Sequence, residues 1–286
     1  MPKASYHLTH PARRTTSVIF ASPHSGRDYH WSFLRRTILD GQTIRSSEDA
    51  YVDRLFDAAT EHGAVFLKAG APRAFVDLNR AEDELDPALI EGVTTRRNNP
   101  RVATGLGVIP RVVANGRSIY HGKLSMDEAQ ERLDNIWRPY HATLKRLMTE
   151  NRDRFGEAHL VDCHSMPREA VANLSRTSGG RPDIVIGDRF GTSASALFVD
   201  EIESIFANYG FKVSRNSPFA GAYMVQHYGR PARGMHAVQI EIDRSLYMDE
   251  ALVKPSSEFA TVRSVLRRIV GEIAELGRAS TALAAE

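Results

Sequence analysis

The stretch His159-Leu-Val-Asp-Cys-His-Ser-Met-Pro167 limits the possible folds more than any other. A short apolar run that stops at an acid, a histidine and a serine reads as the end of a buried strand. Side chains on a strand alternate faces, so Asp162 and His164 point one way and Cys163 the other. That geometry suits an acid steering an imidazole, and it argues against a Cys163–His164 nucleophilic dyad. Charged groups at the end of a buried strand are costly unless they are paired or bound to something. The carboxyl end of a strand in an α/β sheet is also where ligands sit. The plainer reading, an acid and a histidine satisfied by neighbouring backbone, stays open on so short a motif.

The pattern occurs a second time. Ser17-Val-Ile-Phe-Ala-Ser22 runs into Pro23-His24-Ser25-Gly26, again a strand followed by His-Ser. The two histidines lie side by side if their strands are neighbours in one sheet, which the sequence does not decide. Further strands are expected at Ala64–Leu67, Asp183–Gly187, Phe211–Val213 and His236–Arg244, with helices over Glu128–Arg152, Ser193–Tyr209 and residues 257–286. The fold class is α/β, a mixed central sheet flanked by helices. Residues 1–286 are expected to form a single domain, since 286 residues suits one large α/β unit, and 42% hydrophobic residues provide a full core.

A formal charge of +2 with dispersed arginines gives no case for nucleic acid. One cysteine permits no internal disulfide and is compatible with a reducing cytoplasm. No stretch approaches the roughly 20 apolar residues of a membrane span. Arg13-Arg14 precedes an apolar run too short for a signal peptide.

Several other segments carry candidate chemistry. Ser46-Ser-Glu-Asp49 followed by Tyr51, Val52, Leu55, Phe56 and Ala59 has the pattern of a capped amphipathic helix, and Glu48 and Asp49 fit its first turn as acids at the positive end. Arg73-Ala-Phe-Val-Asp-Leu-Asn-Arg80 reads as a strand entering an Asp-Leu-Asn-Arg loop; an Arg with an adjacent Asn can clamp a carboxylate, and Asp77 is a local counter-ion. Residues 82–123, broken by Asn98-Asn99-Pro100 and several glycines, read as a long connection of the kind that forms binding loops or lids. Pro139 is expected to kink the helix over Glu128–Arg152 or to mark a break in it, with His141 a helix-surface or packing residue. Residues 175–182 read as a flexible loop, and Pro218–Pro231 as an active-site loop offering Tyr223, His227 and Tyr228. In His236–Arg244, Val238, Ile240 and Ile242 share one face and Gln239, Glu241 and Asp243 the other, an alternation that an ordinary half-exposed strand also shows.

In their order along the chain, Pro23-His24-Ser25-Gly26, Glu48-Asp49-Ala-Tyr-Val-Asp53, Asp77-Leu-Asn-Arg80, Asp162-Cys-His-Ser165, Gly221-Ala-Tyr223 and Gln239-Ile-Glu-Ile-Asp243 resemble the N-formylglutamate amidohydrolase family, and more distantly the zinc carboxypeptidases and aminoacylases. The resemblance implies a phosphorylase/hydrolase-like, zinc-carboxypeptidase-like three-layer sandwich. It implies one Zn2+ per chain held by His24, His164 and a carboxylate. Because Arg27 stands where a carboxypeptidase His-x-x-Glu motif has its acid, that carboxylate is assigned to Asp49, with Glu48 the rival. Glu241 is the implied general base and Arg73 the group that polarises the carbonyl or binds a second carboxylate. Asn79, Arg80 and Tyr223 are implied for substrate binding, and Asp162 braces His164 or is structural. The implied reaction is hydrolysis of N-formyl-L-glutamate to formate and L-glutamate in cytoplasmic histidine degradation, on a small-molecule N-acyl amino acid and with no nucleic acid or membrane partner. The rivals are a hydrolase of another N-acyl amino acid or small peptide, and a metal-free carboxylate-binding protein.

Overall fold

Seven strands form one sheet in the order β1-β3-β2-β4-β7-β5-β6: β1 Tyr6–Thr9, β2 Val18–Ser22, β3 Val65–Ala69, β4 Ala158–Met166, β5 Ile184–Gly187, β6 Val213–Arg215 and β7 Met235–Asp243. The structure, a computed structural model, describes residues 1–94, 99–176 and 180–278. The central strands β3, β2, β4 and β7 run parallel. β1 is antiparallel to β3, and β5, parallel to β6, is antiparallel to β7. The helices are α1 Trp31–Leu34, α2 Val52–Leu55, α3 Pro100–Ala103, α4 Met126–Arg132, α5 Arg138–Phe155, α6 Ala196–Asn208, α7 Tyr223–Tyr228 and α8 Phe259–Leu276.

Strand alternation divides the core into two layers. Ile19, Ala21 and Leu160 face a cluster built with Leu133, Tyr140, Leu144 and Leu147 beside α4 and on α5, and with Met224 and Val225 of α7. Val18, Phe20, Val161, Cys163, Val238 and Ile240 face the opposite cluster, formed with Val52 and Leu55 of α2, Phe198 and Ile202 of α6, and Leu266, Ile269 and Ile273 of α8. Covering both faces is what a largely parallel sheet requires, and each large apolar side chain so buried contributes about 1.5–3 kcal/mol. The Ser195 hydroxyl caps α6 by accepting the Phe198 N–H. The result is the expected mixed sheet between helical layers. Among the described residues, no helix is long and apolar enough to cross a membrane.

Three local expectations are corrected, and the one at Pro139 is met. The helix over 46–59 is broken: Tyr51 adopts φ 67°, and only the single turn α2 and a 3-10 turn over Asp57–His62 follow it. The break turns Asp49 inward, where its N–H donates to the His24 carbonyl at 3.1 Å. Residues 73–80 form turns rather than a strand. The N–H groups of Phe75 and Val76 both donate to the Pro72 carbonyl, and Phe75, Val76 and Leu78 are all buried under 108–124, which leaves no exposed face for alternation to mark. Pro139 does mark a break in the α-helical run: a π-helical turn over Leu133–Trp137 separates α4 from α5 and places the proline in the first turn of α5. The expected loop at 218–231 contains α7.

Residues 168–176 form 3-10 turns at the start of the expected flexible loop, whose residues 177–179 lie outside the described residues, as do 95–98 of the long connection and the alanine-rich tail 279–286. The topology prepares the site. From β2 the chain crosses to β3 on one side, and β4 lies on the other, so β2 and β4 flank the switch point where a crevice opens beyond the carboxyl ends of parallel strands.

Candidate active site

His24 follows the end of β2, His164 lies in the last third of β4, and Glu241 pairs with His164 across the β4–β7 register. The two imidazoles meet edge to face with ring centroids 4.7 Å apart, and both are buried. Each is braced at Nε2 by a carboxylate: His24 by Asp77 Oδ1 at 2.7 Å, His164 by Asp162 Oδ2 at 2.9 Å. Asp162 and His164 therefore do share a face, while Cys163 packs in the opposite core.

Bracing at Nε2 turns both Nδ1 atoms toward one point, which Asp49 Oδ2 also faces, 2.8 Å from His164 Nδ1 and 3.4 Å from His24 Nδ1. The three candidate ligand atoms lie within 4.8 Å of one another. His24 Nδ1 is buried and has no hydrogen-bond partner. With Nε2–H given to Asp77, its lone pair points at a carboxylate oxygen, an arrangement that is unfavourable unless a cation lies between. A carboxylate behind each imidazole is the usual support of a metal-binding histidine, and two nitrogens with one oxygen suit zinc among the divalent ions. These residues fit a metal ion. Glu48, the rival ligand, is paired with the Arg45 guanidinium at 3.0 and 3.1 Å.

A second trio, Glu157, His159 and His236, sits at the other end of β4 and β7. There His236 Nδ1 accepts the Ser195 N–H at 3.1 Å, so the neutral ring carries its proton on Nε2, which faces Glu157 at 3.6 Å. That leaves His236 no lone pair for an ion.

The charges around the centre are strongly coupled. Burial alone would raise the Asp49 carboxyl, but hydrogen bonding to His164 and the closeness of His24 hold it well below the usual carboxylate range. Burial opposes the charged form of His164 as well, yet Asp162, Asp49 and Glu241 push its pKa well up. Asp77, equally buried, is held down by Arg73, His24 and Arg80. Burial pushes Glu241 up to about 7, against the pull of His164 and with the help of Asp49. Its Oε1 accepts a hydrogen bond from Gln239 Nε2 at 2.8 Å.

The remaining expected residues differ in how they engage this centre. Arg73 donates from Nε to Asp77 Oδ2 at 3.0 Å and keeps about 24% of its side chain exposed, with its terminal nitrogens unpaired among the described residues. Arg80 is buried, donating to the carbonyls of Leu106 and Asn79. Asn79 bridges several segments: its oxygen accepts the Met224 N–H at 2.8 Å, and its nitrogen donates to Asp162 at 3.3 Å and Gln239 at 3.4 Å while lying 3.2 Å from His164 Nε2. Tyr223 opens α7 and lines a cleft of about 1180 Å³ with Ala81, Glu84, Arg101, Arg189 and His227. Tyr228, by contrast, is buried away from the site and hydrogen-bonded to His141, whose Nε2 donates to the Leu78 carbonyl; of its two expected roles, His141 has that of a packing residue.

Two residues at the centre escaped the sequence reading. Gln239 links Asn79, the Ala222 N–H and Glu241; its place on the Glu241 face was a signal for it. Arg244 donates to Asp49 Oδ1 at 2.9 Å, to Ser165 Oγ at 3.2 Å and to the Ser46 carbonyl at 3.3 Å. No pattern in the chain marks it, because its partner Asp49 is 195 positions away.

Imidazoles, carboxylates and a partly free guanidinium gathered beyond the carboxyl ends of a mixed α/β sheet suit a hydrolase that activates water. The family model for N-formylglutamate amidohydrolase matches residues 16–248. The chain belongs to that family. It is 32% identical over 240 residues to an N-formylglutamate deformylase of Pseudomonas putida, covering 82% of each chain, and 32% identical over 266 residues to one of Pseudomonas aeruginosa, covering 92% of this chain and 93% of that one. The crystal structure of N-formylglutamate amidohydrolase from Ralstonia eutropha JMP134 superposes with a TM-score of 0.89 at 34% identity, covering 95% of this chain and 98% of that chain.

Proposed function

We propose that the chain is a zinc-dependent deformylase that hydrolyses N-formyl-L-glutamate to formate and L-glutamate, with one zinc ion per chain held by His24, Asp49 and His164. The observation that carries this reading is the convergence on Asp49 Oδ2 of the Nδ1 atoms of two imidazoles braced at Nε2, one of them a buried nitrogen with no hydrogen-bond partner. The names of the relatives supply the substrate. Residues 1–286 act as one catalytic domain, and the setting is histidine degradation in the cytoplasm.

A bound zinc ion supplies Lewis acidity, lowering the pKa of water towards about 7 and polarising a carbonyl. The chain's own groups carry the rest. Glu241, ionised, takes a proton from the attacking water as the water oxygen bonds to the formyl carbon, and returns it to the glutamate nitrogen as the C–N bond breaks. The unpaired nitrogens of Arg73 hold the oxygen that gains charge or the second carboxylate of the substrate. Arg80 and Tyr223 bind the α-carboxylate with Asn79, whose amide nitrogen gives up one of its longer contacts to do so. Asp77 and Asp162 keep each imidazole in the tautomer that points Nδ1 at the centre.

The test is zinc content and formate release, measured on the same samples of wild type and His164→Ala. About one zinc per chain, lost together with formate release in the variant, is the expected result. A wild type with zinc that releases no formate from N-formyl-L-glutamate overturns the substrate, and one that neither holds metal nor turns over overturns the whole reading.

A further inference from the structure

We infer that Arg244 is a positioning residue for the metal carboxylate: by holding Asp49 Oδ1 it presents Oδ2 alone to the ion and fixes the direction in which that oxygen points. The inference rests on the zinc reading above and goes beyond the ligand set.

Arg244 and Arg73 both act on the carboxylates of the centre, and they are committed differently. The terminal nitrogens of Arg73 are unpaired among the described residues and a quarter of its side chain meets solvent, so it is available to a substrate. Arg244 is only 7% exposed, and each of its three nitrogens donates to the protein: Nε to Ser165 Oγ, Nη1 to the Ser46 carbonyl, Nη2 to Asp49 Oδ1. Three of its five N–H groups, one on each nitrogen, are thereby committed to the protein. Its anchors come from both structural sources of the site, since Ser165 follows His164 on β4 and Ser46 lies three residues before Asp49. The arginine therefore ties the Asp49 segment to the strand that carries the partner imidazole. That segment needs a tie, because Tyr51 in the left-handed region leaves Asp49 outside any helix that would orient it.

The Asp49 carboxylate is thereby divided. One oxygen belongs to a charge-assisted hydrogen bond at 2.9 Å, and the other stands between two imidazole nitrogens. A carboxylate free to rotate about its terminal torsion could turn both oxygens to an ion and occupy a position the reaction needs for water. Arg244 blocks that rotation. Partners that orient a metal ligand in this way typically change metal affinity by 10- to 100-fold when removed.

The experiment measures zinc dissociation constants by competition with a chromophoric chelator for wild type, Arg244→Met and Arg244→Lys, after thermal melting has shown that each is folded. The expected result is affinity about 10- to 100-fold weaker in Arg244→Met, part of it recovered in Arg244→Lys, which keeps the charge without the planar fork. The cobalt-loaded Arg244→Met protein should also show a changed visible spectrum, because Asp49 can then offer its second oxygen. Zinc affinity within about threefold of wild type with an unchanged cobalt spectrum overturns the role of Arg244. If Arg244→Met does not fold, Arg244→Lys and Ser165→Ala decide: wild-type affinity in both overturns the inference, and weakened affinity in both supports it. A wild type that binds neither metal overturns the zinc reading, and this inference with it, whereas a zinc-binding wild type with indifferent variants overturns the inference alone.

Discussion

Glu241 shows how much the surroundings of a side chain decide its chemistry. Its carboxyl is pushed up to about 7, first by burial, against the pull of His164 and with the support of Asp49. A general base must be ionised to accept a proton, so activity rises with pH as this group loses its own. A divalent cation beside it favours the ionised form and draws the value lower. The acid limb of kcat/KM for the zinc-loaded enzyme is therefore expected at or below about pH 7, with activity falling as pH drops through it; a pH profile whose activity does not decline on the acid side contradicts this. Glu241→Gln keeps the hydrogen-bonding shape but cannot take the proton. It should lose about 10²- to 10⁴-fold in kcat while retaining zinc, as steady-state kinetics and metal content on one preparation will show. Sequence alternation had put Gln239, Glu241 and Asp243 on one face, but the same pattern fits a half-exposed edge. Burial on both sides of β7 is what makes Glu241 unusual.

At the scale of elements, the site depends on segments that refuse regular structure. Helical spacing after Ser46 was real, since Val52, Leu55, Phe56 and Ala59 are all buried in one core, yet the backbone breaks at Tyr51 to turn Asp49 toward the histidines. Periodicity records which side chains are buried and does not record a single left-handed residue. The loop carrying His24 is pressed against the Gly70-Ala71 turn, where the Asp28 N–H donates to the Gly70 carbonyl. A Cβ on Gly26 would lie 2.0 Å from the Ala71 carbonyl oxygen and 2.9 Å from that of Gly70, both backbone atoms that cannot swing aside. Gly26→Ala should therefore destabilise the protein by about 1–3 kcal/mol and weaken zinc binding through the displaced His24. Urea unfolding should show a lower midpoint with an unchanged slope, and a wild-type midpoint would refute the packing argument.

For the whole molecule, the centre joins β2, β4, β7 and the Asp49 loop, so an ion bound there holds together parts of the chain that separate on unfolding. Zinc at 100 times its dissociation constant should stabilise the fold by about 2.7 kcal/mol, seen as a rise of several degrees in Tm. A chelator should reverse the rise and His24→Ala should abolish it; a melting curve indifferent to zinc in the wild type would count against the centre as a metal site. What the sequence by itself determined was the local chemistry and the class of fold: the strand ends at His24 and His164, the shared face of Asp162 and His164, the face of Glu241 and the alternation of helices with strands. All of these follow from side-chain periodicity and from the cost of burying charge, which act over a few residues. Only the tertiary structure decided that β2 lies beside β4, that Asp49 rather than Glu48 faces the imidazoles, that Asp77 braces His24, and that Arg244 reaches Asp49 from 195 positions away. Those pairings are set by strand order and by the packing of two cores, and contacts between distant residues leave no periodic trace in the chain that makes them.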